Sequence, residues 1–145
     1  AGFPNIMTRE WNGKPIPAKQ ANFDGVLVDA PCSCSGVWRR NPDGCWTIKE
    51  NEIAEMAELQ GKILAAAATG VRAGGVLIYA TCSIFPAENA DVVTEFLKTH
   101  PGFIAEPFDN PLTGARVESG MLQVLPGDDD CDCMFVARMR RLKQD

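Results

Sequence analysis

Two short apolar runs with no polar interruption constrain this chain most. Val26-Leu27-Val28 and Val76-Leu77-Ile78-Tyr79-Ala80 are rich in β-branched residues, and neither alternates with polar ones. Strands of that kind are expected to be covered on both faces, as in a parallel sheet. Between them Ile53, Met56, Leu59, Ile63, Leu64 and Ala67 recur mostly at steps of three and four. That spacing predicts one apolar stripe along a helix of about twenty residues. Thr47 and Glu50 read as a capping box at its start, and Gly70 as its stop. Gly74-Gly75 is expected to turn the chain into the second strand. Strand, helix, strand is a βαβ unit, and its right-handed crossover makes the two strands parallel.

The rest of the chain divides around this unit. Residues 1–22, rich in Pro, Asn, Lys and Gly, read as an irregular lead-in with a short strand near Ile6–Thr8. Residues 23–100 form a strand-helix-strand-helix core. Its second helix starts around Pro86, which a first turn tolerates, and buries Val92, Val93, Phe96 and Leu97 before His100-Pro101-Gly102. Residues 101–145 are expected to hold a loop, Phe103 to Glu118, and a terminal antiparallel hairpin. The hairpin pairs Met121–Leu125 with Met134–Met139 across Pro126-Gly127-Asp128-Asp129-Asp130. The class is α/β, parallel strands with crossover helices plus that hairpin, and 145 residues suit one domain.

Charge and cysteine usage narrow the function. Fourteen basic and nineteen acidic residues give a net charge of −5, with a pI near 4.9. A chain so acidic does not hold nucleic acid by bulk charge, although local basic contacts stay open. No apolar run reaches the ~20 residues of a membrane helix, and Ala1-Gly2-Phe3-Pro4-Asn5 lacks the pattern of a secretion leader. The expected setting is cytoplasmic, away from membranes. The six cysteines, Cys32, Cys34, Cys45, Cys82, Cys131 and Cys133, admit disulfides, a zinc site or separate reduced thiols. Disulfides lack the oxidising compartment that a leader would imply. The two Cys-x-Cys pairs are tighter than structural zinc spacing, and His100 is the only histidine. Reduced thiols with no metal are therefore expected.

In open α/β sheets, reactive groups gather beyond the carboxyl ends of the strands. Asp29-Ala30-Pro31-Cys32 follows the first run, and Thr81-Cys82-Ser83 follows the second. Neighbouring strands lie about 4.8 Å apart, so a carboxylate and two thiols are expected to meet on one rim. On position alone, Cys32 and Cys82 serve equally well as small buried apolar fillers.

The residues themselves carry more. Val28-Asp29-Ala30-Pro31-Cys32-Ser33-Cys34-Ser35-Gly36, then Arg39-Arg40-Asn41-Pro42-Asp43 and Trp46, resembles the signature of the Sun/Nol (Fmu-like) family of RNA cytosine-5 methyltransferases. So does Gly74-Gly75-Val76-Leu77-Ile78-Tyr79-Ala80-Thr81-Cys82-Ser83 with Pro86, Glu88 and Asn89. The likeness spans nearly the whole chain and weakens in the tail. It implies a Rossmann-like sheet, S-adenosylmethionine as methyl donor and a ribosomal or transfer RNA substrate. It also implies that Cys82 is the nucleophile, that Cys32 serves product release, and that Asp29 lies between cofactor and base. Pro31 joins Asp29 on the cofactor side. Arg39 and Arg40 match paired basic residues of the family, which implies contact with RNA phosphate or orientation of the nearby loop, although pairing with Asp43 or Glu50 explains them equally well. Trp46 is expected to pack the helix start, and Arg138, Arg140, Arg141 and Lys143 to form a solvated face.

Three departures from the family pattern shape further expectations. Cys34 stands where the family has a small Gly or Ala. Asp132-Cys133-Met134-Phe135 replaces Asp-Gly-Phe-Phe. No Gly-rich cofactor loop with a preceding strand is found. The chain therefore resembles the C-terminal half of a catalytic domain, expected to be inactive alone and to bind S-adenosylmethionine weakly or not at all. A missing N-terminal half would dock on the edge of Val26–Val28, which otherwise offers a self-association site. Two alternatives are a non-catalytic α/β fragment binding RNA or protein, and a metal or redox protein using Cys32, Cys34, Cys131 and Cys133.

Overall fold

The computed structural model describes residues 2–17, 19–128 and 130–143. Strand β1 (Phe23–Asp29) leads through a short helical turn at Ser35–Val37 and helix α1 (Gly44–Thr47) into helix α2 (Glu50–Ala68). Strand β2 (Val71–Thr81), a turn at Pro86–Glu88 and helix α3 (Ala90–Thr99) complete the core. Strands β3 (Phe103–Ala105), β4 (Phe108–Asp109), β5 (Arg116–Val117), β6 (Met121–Val124) and β7 (Met134–Arg141) follow. The main sheet has five strands in the order β1-β2-β7-β3, with β6 also on β7, while β4 and β5 pair separately. β1 and β2 are parallel, and β7 runs antiparallel to β2, β3 and β6. The βαβ unit and the terminal hairpin both form as the sequence predicts. Within the hairpin turn, Asp129 lies outside the described residues.

The core lies between one face of this sheet and the helices α2 and α3. Leu64, Leu77, Tyr79, Ala137 and Met139 are completely buried there, with Val93 and Phe96 of α3 against them. Each large apolar side chain so buried contributes about 1.5–3 kcal/mol. Both helices sit on that same face. On the other, Leu27 is 66% exposed and Val76 and Ile78 are only partly covered, so the unbroken runs are not covered on both sides among the described residues.

Several local expectations are corrected. Ile6–Thr8 pairs with nothing and is coil, with Ile6 and Met7 exposed. Thr47 ends α1 instead of capping α2; the Lys49 N–H, donating to the Glu52 carboxylate at 3.0 Å, opens that helix. Leu59 turns outward, and Gln60 takes its place inside. Gly74-Gly75 is not a turn. β2 runs through it with a register irregularity opposite Phe23 and Gly25, and Gly74 supplies the positive φ of 74° that this bulge needs.

The expected loop from Phe103 to Glu118 holds three short strands, too brief for periodicity to reveal. Nor do the C-terminal arginines form a free solvated face. Glu106 accepts from Arg138 Nε at 2.6 Å and from Arg140 Nε and Nη2 at 2.8 and 2.6 Å. Arg141 donates to the Val71 carbonyl at 2.5 Å and lies over the Phe103 ring. No helix among the described residues is long and apolar enough to cross a membrane.

Partial burial pushes the Glu106 carboxyl up, but the two guanidiniums outweigh it and hold the group below its ordinary value of 4.5. A depressed folded-state value means the stabilisation is present above pH 4.5 and lost as pH falls through the lower value. Glu106→Gln is expected to cost about 1 kcal/mol at pH 7, or roughly 3 °C in melting temperature. Thermal melts at pH 7 and pH ~3 check this, since the difference should vanish in acid.

Candidate active site

Parallel pairing sets the site. Asp29 of β1 is in register with Ala80 of β2, and the Ala30 N–H continues the ladder to the Ala80 carbonyl at 3.0 Å. Both strands therefore end at one level. Beyond them the Sγ atoms of Cys32 and Cys82 lie 3.4 Å apart, and both residues are half-buried. The two thiols expected at one rim are thus brought together.

The loop after Cys32 is pressed against the loop after Cys82. The Gly36 N–H donates to the Cys82 carbonyl at 2.8 Å, and the Gly36 carbonyl accepts from the Cys133 N–H at 3.0 Å. A β-carbon at position 36 would stand 2.5 Å from the Cys133 carbonyl oxygen and 2.7 Å from that of Cys82. Only glycine fits that approach. Cys34, two residues earlier, holds a φ of 55°, a region that residues with a β-carbon rarely adopt. Its sulfur joins the other two, and all three Sγ atoms lie within 4.8 Å of one another.

Glu88 holds these loops together. Its side chain is fully buried and accepts four hydrogen bonds: from the Ser33 N–H at 2.8 Å, the Ser33 hydroxyl at 2.5 Å, the Ser83 hydroxyl at 2.5 Å and the Gln60 amide at 3.1 Å. Gln60 Nε2 also reaches the Pro31 carbonyl at 2.9 Å. Asn89 adds a second tie, accepting from the Thr81 hydroxyl at 2.5 Å and donating to the Ser83 carbonyl at 2.8 Å. The residues flanking each cysteine are thereby fixed to one carboxyl group and one amide. Ser33, Ser83 and Gln60 carry no role in the sequence reading. One signal does exist: Gln60 sits four residues from both Met56 and Leu64, a polar side chain on the stripe that faces the sheet.

Burial pushes both thiols up. The Cys32 thiol lies above its ordinary 9.0 chiefly through desolvation. The Cys82 thiol is raised further, by desolvation first and then by the adjoining Cys32 and Cys34 side chains. A thiol held so far towards its protonated form reacts only once its proton is taken, and positive charge brought near would favour the thiolate.

The remaining predicted residues are placed as follows. Asp29 stands at the same strand end but outside the thiol cluster; its exposed side chain lines a groove of about 370 Å³ with Trp11, Ile16, Val28, Ile63 and Ala67. Pro31 is exposed, with its carbonyl already engaged. Arg39 and Arg40 pair with neither Asp43 nor Glu50. Arg39 meets Asp130 at 3.3 Å and Asp132 at 3.8 Å, and Arg40 meets Asp132 at 2.5 Å. Trp46 is 86% exposed and packs no helix start; Trp38 stands edge-on to Phe85 at 6.1 Å. Cys45 Sγ donates to the Pro42 carbonyl at 2.9 Å, away from the thiol cluster. Cys133 is buried beneath Gln123, so the grouping of Cys32 and Cys34 with Cys131 and Cys133 does not form.

Removing the buried hub has a defined consequence. Glu88→Ala leaves the Ser33 N–H without its acceptor and takes from the Gln60 amide one of its two, the Pro31 carbonyl remaining, a loss of about 2 kcal/mol. Glu88→Gln, which keeps one acceptor oxygen, should lose less. Urea unfolding checks this; an alanine variant within ~0.5 kcal/mol of the parent would remove Glu88 from its place at the centre of the site.

The chain is similar over most of its length to known proteins. The family model described as 16S rRNA methyltransferase RsmB/F matches residues 5–140. Ribosomal RNA small subunit methyltransferase B of Serratia proteamaculans is 43% identical over 121 residues, and that of Sodalis glossinidius 45% over 117. Those matches cover 83% and 81% of this chain but 27% and 26% of the relatives, so the chain spans about a quarter of their length. Among solved structures, PH0851 aligns with a TM-score of 0.75 at 37% identity, covering 81% of this chain and 26% of that one. NSun6 from Pyrococcus horikoshii, solved with SFG, aligns with a TM-score of 0.65 at 27% identity, covering 81% and 30%. With residues 5–140 of its 145 matched by that model, the chain belongs to the 16S rRNA methyltransferase RsmB/F family.

Proposed function

We propose that this chain is the cysteine-bearing C-terminal part, residues 1–145, of the catalytic domain of an RNA methyltransferase. Within it, residues 1–22 are lead-in, 23–100 the catalytic core and 101–145 the closing hairpin region. The enzyme transfers a methyl group from S-adenosylmethionine to carbon-5 of a cytosine in RNA. Small-subunit ribosomal RNA is the favoured substrate, since the curated relatives are named for it. One observation carries the reading: two thiols 3.4 Å apart at the ends of adjacent parallel strands.

Carbon-5 of cytosine is a poor nucleophile. Cys82, giving up its proton, adds its sulfur electron pair to carbon-6, and the electrons of the 5,6 double bond then make carbon-5 an enamine carbon. That carbon is able to take the methyl group from the donor's sulfonium, which would leave as the neutral thioether. Loss of the carbon-5 proton and departure of the Cys82 sulfur restore the double bond. Cys32, in contact with that sulfur, assists the release. Asp29 hydrogen-bonds the N3 and N4 edge of the base, which must be flipped out or single-stranded to enter.

The residues present suit one side of the cofactor. The exposed Asp29 carboxyl receives no hydrogen bond from another described residue, and it stands with Pro31 at a strand end beside an apolar groove. Asp29 and Pro31 would hold the cofactor there, and the chemistry it supplies is the activated methyl group. The principal cofactor loop belongs to an N-terminal half that docks along β1, so this chain alone is inactive and binds S-adenosylmethionine weakly. Without that half, the edge of β1, which pairs with β2 on one side only among the described residues, favours self-association. Arg39 and Arg40, steered by Asp130 and Asp132, present guanidinium groups to RNA phosphate. Unpaired thiols suit a reducing, cytoplasmic setting.

Trapping tests the assignment. RNA carrying 5-fluorocytosine blocks the loss at carbon-5, so the full-length enzyme should form a stable covalent adduct visible on a denaturing gel. Cys82→Ala should form none, and Cys32→Ala should accumulate adduct even on ordinary RNA. Equal trapping by Cys82→Ala and the parent would overturn the role given to Cys82.

A further inference from the structure

Cys34 is the thiol for which the proposed reaction has no use. It occupies a left-handed backbone position, φ 55°, that glycine fills more easily. Its side chain is nonetheless turned towards the other two sulfurs, all three within 4.8 Å of one another. A tetrahedral ion bound by sulfur at about 2.3 Å has ligand edges of about 3.8 Å. The Cys32–Cys82 separation of 3.4 Å lies just inside that edge. The other two sulfur pairs exceed it by no more than about 1 Å, within reach of small side-chain rotations.

The chemistry of the donor set selects the ligand. No histidine or carboxylate belongs to the cluster, and all-sulfur sites favour soft d10 cations such as Zn2+, Cd2+ or Cu+. Three thiols so close cannot all ionise unaided, because like charges repel, and a cation removes that obstacle. A disulfide would use two of the three and would require an oxidant. Cys34 is also exposed, which gives an ion a path in and leaves a coordination position facing solvent.

We propose that Cys32, Cys34 and Cys82 form a three-thiolate site for one soft d10 cation, with its fourth position open. Binding of a divalent ion by three thiols releases three protons and leaves a metal tris-thiolate of net charge −1. Ligation rests on the sulfur geometry alone. Its consequence, that a bound ion holds the Cys82 electron pair and silences methyl transfer, rests on the function proposed above.

Titration of the reduced protein with Cd2+, followed by the sulfur-to-cadmium charge-transfer band, tests the site. One equivalent is expected to bind with a three-sulfur band, and Cd2+ should displace Zn2+ bound beforehand, since thiolates favour the softer ion. Cys34→Gly removes the thiol while suiting the backbone, so folding is kept, and affinity should fall by at least ~10–100-fold. Cys82→Ser should weaken binding likewise, whereas Cys45→Ser and Cys131→Ser should not. Cadmium affinity in Cys34→Gly within twofold of the parent would overturn the proposal. Metal inhibition of methyl transfer by the full-length enzyme, lost in Cys34→Gly, separates the two readings. Tight binding with no inhibition would leave the site standing and count against Cys82 as the nucleophile.

Discussion

A single buried carboxyl group determines how the cysteine-bearing strand ends of this molecule are assembled. Glu88 takes hydrogen bonds from Ser33 beside one cysteine and from Ser83 beside the other, while Gln60 of α2 binds it from a third direction. Buried polar groups are costly unless every one finds a partner, and here the partners come from three separate elements. The arrangement thus forms only when strand, crossover helix and second strand are all in place. Packing of Leu64, Leu77 and Tyr79 builds the scaffold; the polar hub converts its strand ends into one defined cluster of sulfur atoms.

The larger elements were legible because their signals are long. The two apolar runs and the stripe of α2 specify a parallel βαβ unit, and the alternation after Met134 specifies β7. Shorter features escape such patterning. β4 and β5 have two residues each, too few for any period, and the bulge at Gly74-Gly75 resembles a turn because both use the same residue type. At the site, Asp29, Cys32 and Cys82 follow from the rule that chemistry gathers at strand ends, and the motif likeness gave each a role. What periodicity cannot see is long-range polar pairing: Glu88 with Ser33 spans 55 residues and Arg40 with Asp132 spans 92. Those partners are chosen by three-dimensional proximity.

Charge is distributed to the same end. The chain as a whole is acidic, yet Arg39 and Arg40 stand close to the cysteine loop and are held there by Asp130 and Asp132. The acidic pair orients the guanidiniums while leaving them 53% and 64% exposed in their side chains. Arg138 and Arg140 are instead committed to Glu106. The exposed guanidiniums of Arg39 and Arg40, balanced by Asp130 and Asp132, are thereby kept apart from the structural arginines of β7.

Whether the two sulfur atoms truly meet is open to direct measurement in solution. Dibromobimane fluoresces once it has bridged a pair of thiols a few ångströms apart. In a Cys34→Gly background, it should join the tryptic peptide carrying Cys32 to the one carrying Cys82, seen as one cross-linked mass. Separate single labels on Cys32 and Cys82, with no bridged product, would contradict the convergence of the two strand ends on which the catalytic reading depends.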